Sequence, residues 1–157
     1  MSINCTQLKN EIIKPTLEHL GMYSESAVNL LLGTAAQESH MGKYIKQISG
    51  GPAVGIYQME PATHDDIHTN YLSYRPGLED KVFEFLGNAP STLAQHLIGN
   101  LFYATAMARL HYLRVKEPLP KADDVEGLAE YWKDHYNTEA GKGTVEEFKE
   151  NYARFCV

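Results

Sequence analysis

Cysteine, tryptophan and surplus positive charge are what this chain has least of. Its 157 residues include two cysteines, Cys5 and Cys156, near opposite ends and in no metal-ligand or redox spacing. Disulfides are uncommon in the cytosol, so the pair is expected as two reduced thiols. Fourteen basic residues stand against 20 acidic ones, a formal net charge of −6 with histidine neutral. That excludes a broad basic field for nucleic acid, and leaves any binding to an anionic polymer to local features.

No apolar run approaches the roughly 20 residues that span a bilayer, so stable membrane insertion is not expected. The opening Met1-Ser2-Ile3-Asn4-Cys5-Thr6 has neither the basic nor the apolar stretch of a secretory signal. The chain is therefore expected to be made as a cytosolic protein. Internal repeats, low-complexity segments and a convincing series of strands are also missing.

What is present is an ordinary globular composition, 43% hydrophobic and 22% charged, enough for one domain spanning 1–157. The apolar spacing is helical and the fold class is mainly α. Leu8, Ile12, Ile13, Leu17 and Leu20 form the stripe of a first helix, with Pro15 expected to kink or break it. Ser24 suits the cap of a second, in which Val28, Leu31, Leu32 and Ala35 make an apolar face and Gln37-Glu38-Ser39 fall near the end. From Gly42 to Gly55 periodicity is lost, and Ser49-Gly50-Gly51-Pro52 is turn chemistry, so a Gly-rich loop is expected, with a short hairpin around Val54 to Met59. Pro61 suits the first position of a helix over Ala62 to Tyr71, and Pro76-Gly77 precedes another over Glu79 to Leu86. The longest periodic stretch, Ser91 to Val115, reads as a long central helix. Asp123 or Asp124 is placed to cap a helix reaching His135, and Thr144-x-x-Glu147 is a capping box opening a last helix to Phe155.

Three constellations carry possible chemistry. In the first, Glu38 lies on or beside the buried face of its helix, where apolar surroundings raise a carboxyl pKa towards that of a general acid at neutral pH. Taken alone, such a glutamate is more often an exposed charge at a helix end. The second is His64-Asp65-Asp66-Ile67-His68: two histidines at i and i+4 share a face and suit zinc, but no third ligand is spaced to join them, and the plainer reading is an exposed polar helix. The third is the aromatic set, with ten tyrosines and one tryptophan, which can stack on sugar rings or fill a core. Trp132 is open between core and groove. His19, His96, His111 and His135 are read as structural or surface residues, and His40 as a neighbour of the site through Ser39.

The order of the pieces adds specificity. Glu38-Ser39 is followed after a loop by Gly55-Ile56-Tyr57-Gln58-Met59, then by Asn100-Leu101 opening the long helix and Leu110-His111-Tyr112-Leu113 further along it, then by Tyr136-Asn137 with Gly141 and Gly143. This set resembles the soluble lytic transglycosylase family of the lysozyme-like fold, in which a catalytic Glu-Ser precedes Gly-Leu-Met-Gln or a close variant, and a Tyr-Asn-x-Gly segment comes later. The resemblance covers about residues 31 to 145. It implies a lysozyme-like domain that cuts the bond between N-acetylmuramic acid and N-acetylglucosamine in bacterial peptidoglycan without a cofactor. Glu38 would be acid and then base, and Ser39 would help hold the bond or the carboxylate. Tyr57, standing where the family usually has Met, would join Gln58 and Met59 along the substrate groove, and Tyr136 and Asn137 would close the site. The looser spacing from Asn137 to Gly141 and the presence of Pro52 depart from the family pattern.

A hydrolase of the same bond, a muramidase, needs a second carboxylate at about 5–5.5 or 6.5–9.5 Å. Glu60, Asp65 and Asp66 are the candidates, each equally readable as solvated surface. The family resemblance implies instead one glutamate and attack by the sugar's own hydroxyl. Two further readings differ in class: a zinc peptidase acting on stem peptides through His64 and His68, and a non-catalytic phage wall-binding or structural protein. With no export signal expected, the enzyme reading implies a bacteriophage protein working as a monomer. A holin pore or the virion itself would bring it to the wall.

Overall fold

A computed structural model describes residues 1–89, 94–137 and 141–157. It is mainly helical, as expected. Among the described residues no strand forms, only the isolated antiparallel bridges Lys46 to Val54 and Val54 to Met59. The expected hairpin is reduced to a tight turn.

The chain begins with α1 (Cys5–Gln7), a π-helical stretch (Leu8–Ile13) and α2 (Lys14–Leu20), which follow one another without interruption. Pro15 does not break this path. It sits in the first turn of α2, and the Lys14 N–H bonds back five residues to the Lys9 carbonyl, so the widened helix makes room for the proline ring. Gly21, at φ 71°, ends α2 in the left-handed conformation that glycine adopts cheaply.

Helix α3 (Glu25–Ser39) starts at Ser24, whose side chain accepts from the Ala27 N–H, and is buried on nearly every side from Ala27 to Ala36. It is thus more central than a one-sided apolar face implied. Around it pack α7 (Leu101–Leu113), α8 (Val125–Trp132) and α9 (Val145–Cys156). Asp124 caps α8 through the Gly127 N–H, and Thr144 caps α9 through the Glu147 N–H. A π-helical turn, Lys133–Asn137, extends α8 past the expected end at His135. Helices α4 (Pro61–Asn70) and α5 (Pro76–Glu84) open on their prolines.

The long helix expected over Ser91 to Val115 is interrupted. A short α6 (His96–Gly99) ends at Asn100, which turns extended and caps α7, accepting from the Tyr103 N–H at 2.9 Å and donating to the Phe85 carbonyl at 2.8 Å. Ser91 to Leu93 lie outside the described residues.

The two cysteines are not free thiols. The C-terminus of α9 returns to α1, and Cys5 and Cys156 form a disulfide with their Cα atoms 5.4 Å apart. Distance along the chain concealed a pairing that helix packing creates.

Candidate active site

Helix α3 delivers Glu38 to its last turn, and an abrupt reversal follows. His40, Met41 and Gly42 take φ of 51°, 58° and 82°, carrying the chain away from the helix axis. The buried Ser39 stitches this reversal to the turn at Gly55 to Met59. Its hydroxyl donates to the carbonyls of Ile56 (2.6 Å) and Ala35 (3.1 Å) and accepts from the Gly42 N–H (2.8 Å). All of Ser39's bonding is therefore internal, and it does not line the cleft.

The turn itself is closed by paired backbone bonds between Val54 and Met59 of 3.0 and 3.1 Å. Gly55 has φ 84°, and a Cβ there would strike the Leu97 carbonyl, so glycine is required on both counts. Gln58, at φ 47°, fastens its own amide to the Gly55 carbonyl at 2.9 Å. Tyr57 departs from the expected groove position. It is 2% exposed, its hydroxyl bonds Thr105 at 2.9 Å inside the core, and only its carbonyl serves the site, accepting from the Tyr136 hydroxyl at 2.6 Å. The alternation of the turn sends Tyr57 inward while Gln58 and Met59 reach the cleft.

That cleft encloses about 670 Å³. Of the expected residues it brings together Glu38, Gln58, Met59, Tyr136 and Asn137. The loop after α3 contributes Tyr44, Gln47, Ile48 and Ser49 to its lining, and the segment after Asn137 contributes Gly141 and Lys142. Glu60 is exposed on the cleft, whereas Asp65 and Asp66 do not line it.

Glu38 is partly exposed to the cleft and otherwise enclosed. Burial raises its pKa from 4.5 to about 7, against the opposing pull of the Trp132 indole N–H, which donates to Oε1 at 2.9 Å. An acid with that pKa is both present and competent to give its proton near neutrality. Trp132 resolves as core, fully buried with its ring centroid 5.4 Å from that of Phe148, yet its one polar atom serves the site.

Two more residues belong to the site and were missed. Lys133 donates from Nζ to the Asn137 side chain (2.8 Å) and to the carbonyls of Gly141 (3.1 Å) and Gly143 (2.7 Å), tying down the rim that carries Asn137. His111, read as structural or surface, lines the cleft instead, its ring centroid 4.9 Å from that of Tyr136. Its Nδ1 accepts from Arg114 Nη2 at 2.8 Å, and Arg114 Nη1 holds Asp66 at 2.6 Å. Burial, with the guanidinium second, lowers the His111 pKa to about 4. The i,i+3 spacing of His111 and Arg114 was the available signal.

The other histidines stand elsewhere. His40 caps α3 and packs its ring towards Tyr44 and Phe155 rather than into the cleft. His64 is fully buried, not exposed: Nε2 atoms of His64 and His68 meet the Tyr103 hydroxyl at 2.6 and 2.7 Å, and His64 Nδ1 bonds Asp65 at 2.8 Å. The Nε2 atoms of the pair thus face one tyrosine rather than converging on an open position. Among the described residues no group of three or more His, Cys, Asp or Glu is arranged to hold a metal ion.

No family model, curated protein or solved structure matches the chain.

Proposed function

We propose that the chain is a lysozyme-like enzyme that cleaves the β-1,4 bond between N-acetylmuramic acid and N-acetylglucosamine in peptidoglycan, by lytic transglycosylation. The observation carrying this reading is Glu38: a carboxyl with a pKa raised to about 7, held by Trp132 on a cleft of about 670 Å³. The amide, hydroxyl and aromatic side chains among the cleft's lining residues suit a neutral, hydroxyl-rich polymer.

Protonated Glu38 gives its proton to the glycosidic oxygen as the bond to C1 breaks. The carboxylate left behind takes the proton of the same sugar's C6 hydroxyl as that oxygen attacks C1, which closes a 1,6-anhydro ring and restores the acid. No water is consumed. Gln58, Met59, Tyr136 and Asn137 line the path of the strand, while Ser39 and Tyr57 act from behind it by fixing the turn. Glu60, exposed on the same cleft, favours one second reading, a muramidase in which it activates water.

The Cys5–Cys156 disulfide suits a chain that works outside the reducing cytosol. Among the described residues no helix is long and apolar enough to cross a membrane. Delivery to the wall by a phage virion or through a holin pore completes the proposal.

The deciding experiment is digestion of purified peptidoglycan with product mass spectrometry. Wild type is expected to release anhydro-muropeptides, and Glu38→Gln to lose about 10²-fold or more of that rate while remaining folded. Reducing-end muropeptides would establish the hydrolase instead. Undiminished clearing of walls by Glu38→Gln would overturn the enzymatic reading altogether.

A further inference from the structure

Among the described residues His111 is the one histidine on the cleft, and its hydrogen-bonding sense is dictated by its neighbours. Arginine has no acceptor, so the 2.8 Å bond from Arg114 Nη2 makes His111 Nδ1 the acceptor. A neutral imidazole that accepts at Nδ1 carries its hydrogen at Nε2. Taking a second proton would set an N–H against a guanidinium N–H, so the ring stays neutral and has no free basic nitrogen. Asp66 fixes the guanidinium from its far side at 2.6 Å, and Tyr136 packs at 4.9 Å against the ring. Among the described residues Nε2 has no hydrogen-bond partner. His111 thus offers the cleft one oriented, uncharged N–H donor, and the complementary ligand group is an uncharged acceptor beside an apolar surface.

We propose that His111 is a specificity residue that receives the acetamido carbonyl of an N-acetylated amino sugar, and so selects N-acetylated over de-N-acetylated glycan. The inference rests on the glycan-cleaving reading of the site and deepens it. An amide carbonyl is the strongest neutral acceptor on such a sugar, and the methyl group beside it needs apolar cover, which the Tyr136 ring beside His111 supplies. Removing the acetyl group leaves an ammonium, which has donors only. The same N–H then faces a cation with no lone pair, and discrimination follows from leaving a donor unpaired as well as from losing a bond.

The test compares peptidoglycan glycan strands carrying free amino groups with the same preparation chemically re-N-acetylated. For wild type, kcat/KM is expected to be about ten-fold or more higher on the acetylated strands, the size of one buried hydrogen bond and its unpaired partner. His111→Phe removes the donor and keeps the ring against Tyr136; its preference is expected to fall to within about two-fold, through loss on the acetylated substrate alone. His111→Gln places an amide N–H near the position of Nε2 and is expected to recover most of the preference. If His111→Phe slows both substrates equally, or leaves the preference intact, the assignment is overturned while the enzymatic reading stands. If the phenylalanine variant does not fold, loss of preference in a folded His111→Gln overturns it as well. Failure of wild type to cleave either preparation removes the enzymatic reading, and the inference with it.

Discussion

A carboxyl buried beside an indole is a liability to the fold, whatever it contributes to the proposed reaction. Glu38 has a folded-state pKa of about 7 against 4.5 for the unfolded group. Between those values the folded chain holds a proton that the unfolded chain has released, so stability falls as pH rises from about 4.5 to 7 and levels off above. At 1.36 kcal/mol per unit the cost of ionisation reaches about 3 kcal/mol. Glutamine keeps the acceptor for Trp132 and never ionises. Glu38→Gln is therefore expected to be more stable than wild type at pH 8 by up to about 3 kcal/mol, with the gap closing near pH 5; denaturant midpoints at the two pH values read it directly. Equal midpoints at pH 8 would mean that the carboxyl is not destabilised by its surroundings. At this scale the sequence disclosed Glu38, because an acid at the end of an apolar helix before a glycine-bearing turn is a local pattern. It did not disclose Trp132 as its partner, since 94 residues separate them and only the packing of α8 on α3 brings them to 2.9 Å. His111 stayed hidden for the same reason: its meaning lies in which wall of the cleft α7 forms.

Between elements, the seam of α3 and α9 sets how firmly the site is backed. Gly33 on α3 leaves the gap into which the Phe148 ring descends, and a Cβ at Gly33 would fall within that ring. Phe148 in turn packs on Trp132, and Gln37, beside Glu38, accepts from Asn151 of α9 at 2.7 Å. Alanine in mid-helix is intrinsically better than glycine by about 1 kcal/mol. Here the overpacking cost of about 1–3 kcal/mol wins, because both the ring and the helix backbone would have to move. Gly33→Ala is expected to lower stability by up to about 2 kcal/mol and, on the proposed reading, to reduce wall cleavage through displaced Trp132; a variant more stable than wild type in thermal unfolding would show the seam to be loose. Element boundaries set by local chemistry were legible: Ser24, Asp124 and Thr144 cap the helices that their side chains announce. The break at Asn100 was not legible in the apolar spacing, which runs through it in phase, although the motif order sets Asn100-Leu101 at the opening of the long helix. Its bonds to Tyr103 and Phe85 turn the backbone, and the second is a tertiary contact with no trace in the neighbouring residues.

Over the whole molecule, the two ends are held by the same bond that makes the chain nearly a closed loop. Cys5 and Cys156 are 151 residues apart, so their link removes a large part of the unfolded chain's freedom, worth about 5 kcal/mol in the loop-entropy account. Because α9 carries Phe148 against Trp132, tethering its end to α1 also secures the support behind Glu38. The two effects separate experimentally. If the link acts on the unfolded state, the double variant Cys5→Ser/Cys156→Ser keeps wild-type kcat and KM at low temperature and unfolds about 10 °C or more lower, at roughly 2–4 °C per kcal/mol for a chain of this size. If the link also holds α9 in register, kcat falls at all temperatures, and dithiothreitol reproduces the loss in wild type. An unfolding temperature unchanged by either treatment would sink the stabilising role. A stabilisation that depends on oxidation leaves the chain weakest in the reducing cytosol and strongest where disulfides persist, which agrees with the proposed action at the cell wall.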